Sequence, residues 1–362
     1  MKVDDDGVQP SNLMPIGDFA RRTGLTPSAL RFYADSAVLL PAEIDPVSGY
    51  RYYHPDQLAR ADTLRQLREI AMPLPAVRAA LDAGPDEVAR MIDEHVAKIL
   101  GDAAAARRKA AQLTEKLTDL PSLLIAVLKG PVLADAVEQV LTATASDTTM
   151  PVLGGLYLEA SPEAVTLTAT DRYRLSTRTL VPDEPASTTW SATVDGDGLR
   201  VAAAEVRRCA IVRVEASTGG IWLRSRERED LHCILLSEQF PDYRAMLAAV
   251  PEATTRATVS KALLLRAMEE SVRELITLDV TGSALNFLTD DKQPSQSLPA
   301  AVTGAALRIS FHLTTFYPAV STAIGPEVML DLRGPNQPVT IRSADRGDLT
   351  TLAMPVKPDH DA

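Results

Sequence analysis

Cysteine is almost absent from this chain of 362 residues, which contains only Cys209 and Cys233. These two have neither the close spacing of metal ligands nor the density of a disulfide-stapled domain, so we expect two buried thiols. Long apolar runs are also missing, since none approaches the ~18 residues that a membrane-spanning helix needs. The first residues, MKVDDDGVQP, lack the basic region and apolar stretch of a signal peptide. These absences favour a cytoplasmic protein.

Catalytic and cofactor motifs are missing as well. The chain has no nucleophile elbow, Walker loop, dinucleotide glycine fingerprint or zinc-protease helix. None of the histidines has a nearby set of further metal ligands; they are His54, His95, His232, His312 and His360. We therefore expect no enzyme activity, no cofactor and no metal.

Positive charge is not in excess, because 37 basic residues face 48 acidic ones and the formal net charge is −11. An acidic chain repels a polyanion overall, so any DNA binding must come from a local surface where basic groups are concentrated. The 46% of hydrophobic residues is typical of a globular protein, and the length suggests two to four domains.

The pattern along the chain predicts an α+β protein of several domains. We predict a disordered tail (1–13), a winged helix-turn-helix domain (14–82), a long coiled-coil helix (83–120) and two related α+β domains (121–245 and 246–362). The coiled coil rests on a stripe of apolar residues spaced by threes and fours; it comprises Val88, Ile92, Val96, Ile99, Ala103, Ala106, Ala110, Leu113, Leu117 and Leu120. Packing of this helix on its own domain is the alternative. After Pro131, short β-branched segments alternate with four helical patterns, at 133–144, 198–208, 260–270 and 313–324. The eleven predicted strand segments are 152–160, 164–170, 173–181, 219–226, 231–236, 276–280, 284–290, 306–313, 327–332, 338–343 and 349–356.

The helix-turn-helix is predicted from two short helical patterns, 16–22 and 27–34, separated by a turn that contains Gly24. Thr26 is expected to cap the second helix, with Pro27 in its first turn. In such motifs the second helix enters the major groove of DNA. The candidate DNA contacts on this helix are Thr26, Ser28, Arg31 and Tyr33.

A wing is predicted next, over 41–53, with its turn at Ser48 and Gly49. It places Tyr50, Arg51 and Tyr52 beside the second helix. An arginine flanked by tyrosines offers a positive charge and hydroxyl donors to phosphate oxygens.

The segments IGDFARRTGLTPSALRFY, SGYRYY and HPDQLARADTLRQLREIAMPLPAVRAAL, followed by a long helix, resemble the MerR family of transcriptional regulators over about residues 14–118. The resemblance implies an antiparallel homodimer that binds double-stranded promoter DNA in the bacterial nucleoid, acts with RNA polymerase and responds to a ligand at its C-terminal domain. Residues 34–37, Ala-Asp-Ser-Ala, depart from the family, which usually has an acidic residue and a glycine here, so we expect a local change in this turn.

The second half resembles the DNA polymerase III β subunit, the bacterial sliding clamp, over about residues 122–358. The resemblance rests on MPVLGGLYLEA, VTLTATDRYRLSTRTL, EQFPDYRAML and DLTTLAMPVKP, whose order and spacing match the second and third clamp domains. The first clamp domain is missing. A dimer would supply four clamp-like domains where a clamp ring has six, so a ring of the usual kind cannot close from one dimer.

The clamp resemblance also implies a peptide-binding cleft between these two domains. Carried over by position, its residues are Thr170, Arg172, Tyr173, Arg174, Leu175, Pro241, Arg244, Met246, Met354, Pro355 and Val356. Apolar walls with a few charges suit a peptide bearing leucine or phenylalanine, or a hydrophobic small molecule. Arg172 stands where clamps usually have glycine, which would narrow the entrance. The alternative is that Leu175, Pro241 and Met354 only fill a seam between domains.

Helices that line a ring around DNA should be basic. The four helical patterns of this half carry five basic residues (Arg200, Arg207, Arg208, Lys261 and Arg266) and five acidic ones (Asp135, Glu138, Glu205, Glu269 and Glu270). Pro318, within the fourth pattern, removes a backbone hydrogen bond unless it lies near the helix start. We therefore do not expect this half to slide on DNA.

Two hypotheses of different classes follow. The leading one is a dimeric transcription regulator of MerR type whose clamp-like region senses an effector. The second is a replication-associated adaptor that binds clamp-partner peptides or competes with the clamp. A partial ring loaded on DNA is a third possibility.

Overall fold

The computed structural model describes residues 13–118, 122–145, 150–184, 188–289, 293–345 and 347–356. The chain divides into two compact units, residues 1–106 and 107–362. Each is described by itself. Of the predicted tail, only residue 13 belongs to the described part.

The first unit begins with strand β1 (Met14–Pro15), helices α1 (Ile16–Thr23) and α2 (Pro27–Asp35), and the wing strands β2 (Glu43–Ile44) and β3 (Arg51–Tyr53). Helices α3 (Gln57–Glu69) and α4 (Leu74–Asp82) follow. The three strands form one sheet in the order β1-β3-β2. The apolar core of the first unit includes Phe19, Leu30, Leu64 and Tyr53. The Phe19 and Tyr53 rings stack with their centroids 4.5 Å apart.

The long helix α5 (Pro85–Thr118) starts in the first unit and ends in the second. It carries Asp86 and Glu87 in its first turn, where the positive end of the helix dipole interacts favourably with their carboxylates. Val88 and Ile92 pack on the core of the first unit. Further along, the stripe is exposed, with Val96 41% and Leu117 84% accessible. The helix is confirmed, the coiled-coil pairing stays a prediction, and Leu120 lies outside the described residues.

The second unit contains two copies of one β-α-β-β-β-β-α-β-β-β order. The first copy consists of β4 (Leu123–Lys129), α6 (Gly130–Leu141), β5 (Leu156–Ala160), β6 (Val165–Thr170), β7 (Arg174–Leu180), β8 (Trp190–Val194), α7 (Gly196–Val206), β9 (Ile211–Ser217), β10 (Gly220–Arg224) and β11 (Leu231–Leu236). A 3₁₀ turn (Pro151–Gly154) precedes β5, and helix α8 (Tyr243–Ala248) follows the copy.

The second copy consists of β12 (Thr255–Ser260), α9 (Lys261–Glu269), β13 (Leu275–Thr281), β14 (Ala284–Leu288), β15 (Pro294–Gly304), β16 (Leu307–His312), α10 (Leu313–Ser321), β17 (Glu327–Leu332), β18 (Val339–Ser343) and β19 (Leu349–Ala353). The predicted repeat of two α+β units is thus present. Pro318 lies inside α10, which forms all the same. Each copy has its own apolar core.

All strand pairs of the second unit are antiparallel, and sixteen strands connect into one sheet across both copies. The copies join where β7 pairs with β19, so that Leu175 lies opposite Leu352 and Ser176 opposite Thr351. The two hydroxyl oxygens of the latter pair are 3.1 Å apart. Both cysteines are buried free thiols, as predicted.

Candidate DNA-binding surface and apolar cleft

The turn between α1 and α2 is built from local signals. Gly24 ends α1 with a φ of +71°, a left-handed conformation that glycine adopts without steric cost. The amide of Ala29 donates to Thr26 Oγ1 at 3.1 Å, and Pro27 occupies the first turn of α2. The predicted cap is therefore present, and it fixes where the exposed face of α2 begins.

The exposed face of α2 differs in one residue from the prediction. Ser28 and Arg31 are exposed, whereas Tyr33 is only 9% accessible and packs in the core. Its exposed neighbour is Phe32, at 56%. Leu30, Tyr33 and Ala34 share the buried face because residues three and four apart lie together on a helix. Tyr33 is therefore wrong as a groove contact, and Phe32 takes its place on the surface.

The wing turns at residues 45–50, where Asp45 Oδ1 accepts the amides of Val47 and Ser48. These bonds hold the pKa of the Asp45 carboxyl below its ordinary value, since they favour its charged form. Tyr50 is 43% exposed and its ring lies 5.4 Å from that of Tyr52, which is half-buried. The wing thus presents two tyrosines on its surface.

Arg51 connects the wing to α2. Its guanidinium lies 2.7 Å from Asp35 Oδ1 and is 22% exposed. Asp35 belongs to the segment that departs from the MerR pattern, and in the same segment Ala37 has a φ of +54°, a conformation that favours glycine. Any phosphate that Arg51 meets must compete with this carboxylate.

The β7–β19 pairing brings together two of the three segments predicted to form the cleft. The amide of Met354 donates to the carbonyl of Tyr173 at 2.8 Å, two residues beyond the Leu175–Leu352 pair. The third segment, 240–247, joins them through an apolar cluster of Val152, Leu153, Leu175, Phe240 and Tyr243. We call this set the seam cluster.

The buried side chains of the seam cluster, which we call the floor of the predicted cleft, were missed by sequence reasoning except for Leu175. The Tyr157 and Phe240 rings stack at 5.0 Å against the cluster, and the Tyr243 hydroxyl donates to Glu159. Burial and this bond raise the pKa of Tyr243 to about 12. The signal was available in the apolar residues of MPVLGG and EQFPDY, but only long-range pairing shows that they meet.

The predicted cleft residues divide by exposure. Arg172, Tyr173, Arg244, Met246 and Met354 are exposed, with Tyr173 at 66% and both methionines above 40%. Half-buried members are Arg174, Pro241, Pro355 and Val356, the last of which donates its amide to Ser310 of β16. The rim therefore consists of exposed methionine, tyrosine and arginine around a buried floor.

Two predicted cleft residues hold the β6–β7 turn instead of facing a groove. Thr170 is buried, and its hydroxyl donates to the carbonyl of Arg174 at 2.7 Å. The Arg174 guanidinium donates twice to Asp171 Oδ2, at 2.9 and 2.7 Å. The Thr170 hydroxyl and two of the three Arg174 guanidinium nitrogens are thus engaged within the turn, which argues against direct ligand contacts by these two residues.

The five basic residues of the four predicted helical patterns each have a local partner. Arg207 pairs with Asp135 and Glu138, and Arg208 lies 2.8 Å from Glu205. The remaining three bind as follows: Arg200 to Asp197, Arg266 to Glu270, and Lys261 Nζ to the carbonyl of Ala323. Burial lowers the pKa of the Lys261 ammonium group.

In the described ranges, no three His, Cys, Asp or Glu side chains are grouped so that they could hold a metal ion. No helix within those ranges combines the length and apolar character needed to cross a membrane.

Comparison with known proteins agrees with both halves of the chain. Residues 14–84 match the MerR HTH family of regulatory proteins, and residues 127–242 match the central domain of the DNA polymerase III beta subunit. The chain carries a MerR helix-turn-helix domain and a DNA polymerase III β clamp domain. The MerR domain contains the turn, cap and wing described above, and the seam cluster belongs to the clamp-type region.

Individual relatives cover one half or the other. The Transcriptional regulator BrlR of Pseudomonas aeruginosa is 29% identical over 112 residues, which are 30% of this chain and 42% of that protein. The Beta sliding clamp homolog GriR of Streptomyces muensis is 28% identical over 207 residues, 54% of each chain. The chain thus spans about half the length of these relatives.

The clamp fold is also found among solved structures. A sliding clamp of Pseudomonas aeruginosa, described as bound to griselimycin, superposes with a TM-score of 0.60 and 18% identity. The match covers 66% of this chain and 67% of that one. At this identity the likeness establishes the fold of the clamp-type region.

Proposed function

We propose that this chain is a dimeric transcription regulator in which the MerR domain binds promoter DNA and the clamp-type region senses an effector. The observation that carries the proposal is the presence, in one chain, of a helix-turn-helix with an exposed Arg31 and a clamp fold with an apolar seam cluster. We retain the predicted domains, 14–82, 83–120, 121–245 and 246–362.

DNA contact is proposed for the exposed polar residues of α2 and the wing. These are Thr26, Ser28, Arg31, Tyr50, Arg51 and Tyr52. Arginine and hydroxyl donors at a helix and a wing fix a protein on phosphates and read base edges in the groove. Two copies related by symmetry would read two half-sites and act with RNA polymerase.

Dimerisation is proposed through α5. Its exposed apolar side chains, among them Val96, Ile99, Leu113 and Leu117, form a stripe that a second copy of the helix would cover. Burying this stripe against a second copy would stabilise the helix. The resulting homodimer would supply the twofold symmetry that a palindromic DNA site requires.

Effector binding is proposed at the seam cluster, between the rim residues Met246 and Met354. Methionine side chains adapt to ligands of varied shape. The clamp of similar fold that is described as bound to griselimycin makes this compound the appropriate first probe. An effector changes transcription only if it binds two states of the dimer with different affinity.

The DNA-binding part is tested by selecting duplexes from a random library with the full chain. We expect enrichment of one inverted-repeat sequence, bound by two chains. Recovery of no preferred sequence, or binding by a single chain, would overturn the regulator proposal.

The effector part is tested by calorimetric titration of the full chain with griselimycin. Met354→Asp places a negative charge on the rim and should abolish binding. A bound ligand would cover this carboxylate without solvating it, and burying an unpaired charge is costly. Val272→Asp, at a site 99% exposed and outside the cleft, is the matched control and should bind as the wild type does. Equal binding by the wild type and Met354→Asp would remove the cleft from the function.

The seam cluster also favours the second candidate, a replication-associated adaptor, because a clamp-partner peptide would use the same floor. Genome-wide mapping of bound DNA separates the two. A regulator gives one or a few sharp promoter peaks, whereas an adaptor gives none.

A further inference from the structure

Arg172 occupies a backbone position that disfavours any residue with a side chain. It is the first of the two central residues, 172 and 173, of the turn between β6 and β7, which is closed by the Asp171 amide donating to the Arg174 carbonyl at 3.2 Å. Its φ is +76°, whereas the next residue, Tyr173, is not among those with positive φ. In two-residue hairpins this combination calls for glycine at the first position.

Of the three described non-glycine residues with positive φ, only Arg172 lies away from a helix end. Ala37 and Ala71 follow α2 and α3, where a left-handed residue commonly ends a helix. Such strain persists only where the surroundings impose it, and it concentrates at functional sites.

The surroundings of Arg172 do impose its conformation. Asp171 Oδ1 accepts the amides of Tyr173 and Arg174, at 3.0 and 2.6 Å, and the Arg172 amide donates to Thr170 Oγ1 at 3.3 Å. Together with the Arg174–Asp171 ion pair, these bonds fix the direction in which the Arg172 side chain leaves the turn.

The Arg172 side chain reaches the residue that precedes two members of the seam cluster. The Arg172 guanidinium contacts the sulfur of Met150, which directly precedes the 3₁₀ turn carrying Val152 and Leu153. On the other side, Leu175 follows Arg172 by three residues and belongs to the same cluster. Val152, Leu153 and Leu175 are each under 5% exposed, so the cluster is closed in this structure.

Resting on the proposed function, we propose that Arg172 and Met150 form a latch that a ligand must displace before it reaches the seam cluster. The strained turn holds the latch in place, so the closed form dominates without ligand. A binding site that is open only part of the time shows a lower apparent affinity and slower association. The latch therefore selects ligands that bind the floor strongly enough to open it.

The test measures the association rate of griselimycin with the full chain by stopped-flow fluorescence. Arg172→Ala removes the latch but keeps the strained backbone, Arg172→Gly removes both, and Met150→Ala removes the other half of the contact. All three should associate about tenfold faster than the wild type. A merely structural role would instead raise the melting temperature of Arg172→Gly alone and leave the rates unchanged.

The outcomes distinguish the latch from the effector site. If the wild type binds and all three variants associate within twofold of its rate, the latch is overturned and the effector site stands. If only the variants bind, the latch is supported. If the wild type and every variant fail to bind, both proposals are overturned.

Discussion

Arg31→Ala is the sharpest perturbation of the DNA-binding surface that the structure offers. The side chain is exposed on α2, and alanine is an excellent helix former, so the fold should not suffer. Arg51 is less suitable, because its loss also breaks the ion pair with Asp35 that connects wing and helix. A change in binding by Arg31→Ala therefore reports on DNA contact alone.

The expected magnitude follows from counterion release. Each phosphate neutralised on duplex DNA contributes about 0.9 to the slope of log affinity against log salt. A dimer presents Arg31 twice, so the slope should become shallower by about 1.8. Raising salt from 50 to 200 mM would then weaken the wild type about 12-fold more than the variant. Fluorescence anisotropy with the selected duplex at four salt concentrations measures this.

Arg90→Ala is the matched control, since it removes the same charge from an exposed helix position. Arg90 is already paired with Glu87 and Glu94 on α5. Its substitution should therefore leave the slope of log affinity against log salt unchanged. If Arg31→Ala keeps the wild-type slope and affinity while remaining dimeric, Arg31 does not contact DNA. If both variants change the slope equally, net charge and not contact is responsible.

Three further predictions concern stability and reactivity. Ala37→Gly should stabilise the first unit by about 0.5–1 kcal/mol in urea unfolding, because glycine accepts the positive φ at this helix end. Burial alone would raise the pKa of the Asp331 carboxyl, but hydrogen bonds from Arg256 and Arg342 hold this pKa below its ordinary value of 3.8. The charged carboxylate therefore stabilises the folded state above pH 3.8, and this stabilisation is lost as the pH falls further. Asp331→Asn should therefore cost about 1–3 kcal/mol at pH 7 and progressively less as the pH falls below 3.8, as seen in urea midpoints. Burial raises the pKa of Cys233 to about 12, so iodoacetamide at pH 8 should label this thiol only after unfolding, as read by mass spectrometry.

Local signals made the first unit predictable. Thr26, Pro27 and Gly24 act through bonds and dihedral angles within a few residues, so the sequence pattern and the structure agree there. The error at Tyr33 arose from weighing chemistry before periodicity, since the spacing of Leu30 and Tyr33 already placed the tyrosine inward.

The second unit was predictable in its order but not in all of its strands. Sequence patterns identified eleven strand segments, yet β4, β8, β9, β12 and β15 were absent from the prediction. The reason is clearest for β4, whose sequence LLIAVLK has no polar alternation and a run of four buried residues. A short apolar run cannot be assigned to strand or helix by periodicity alone.

The cleft shows the same limit at the level of a site. Family resemblance pointed to its rim, because Tyr173 and Met354 lie in recognisable segments. Its floor joins Val152 to Phe240, which are far apart in the chain and meet only after the sheet has formed. Such contacts follow from the whole fold, and no local pattern contains them.

The paired charges on the helices of the clamp-type region argue against sliding of this region on DNA. A surface that tracks DNA needs basic groups whose charge is available to phosphates. Here Arg207 pairs with both Asp135 and Glu138, and the other four basic residues of the predicted helical patterns also have acidic or carbonyl partners. Releasing them for DNA would leave those carboxylates facing the polyanion. The seam cluster carries no such conflict, since its members are apolar or aromatic and buried.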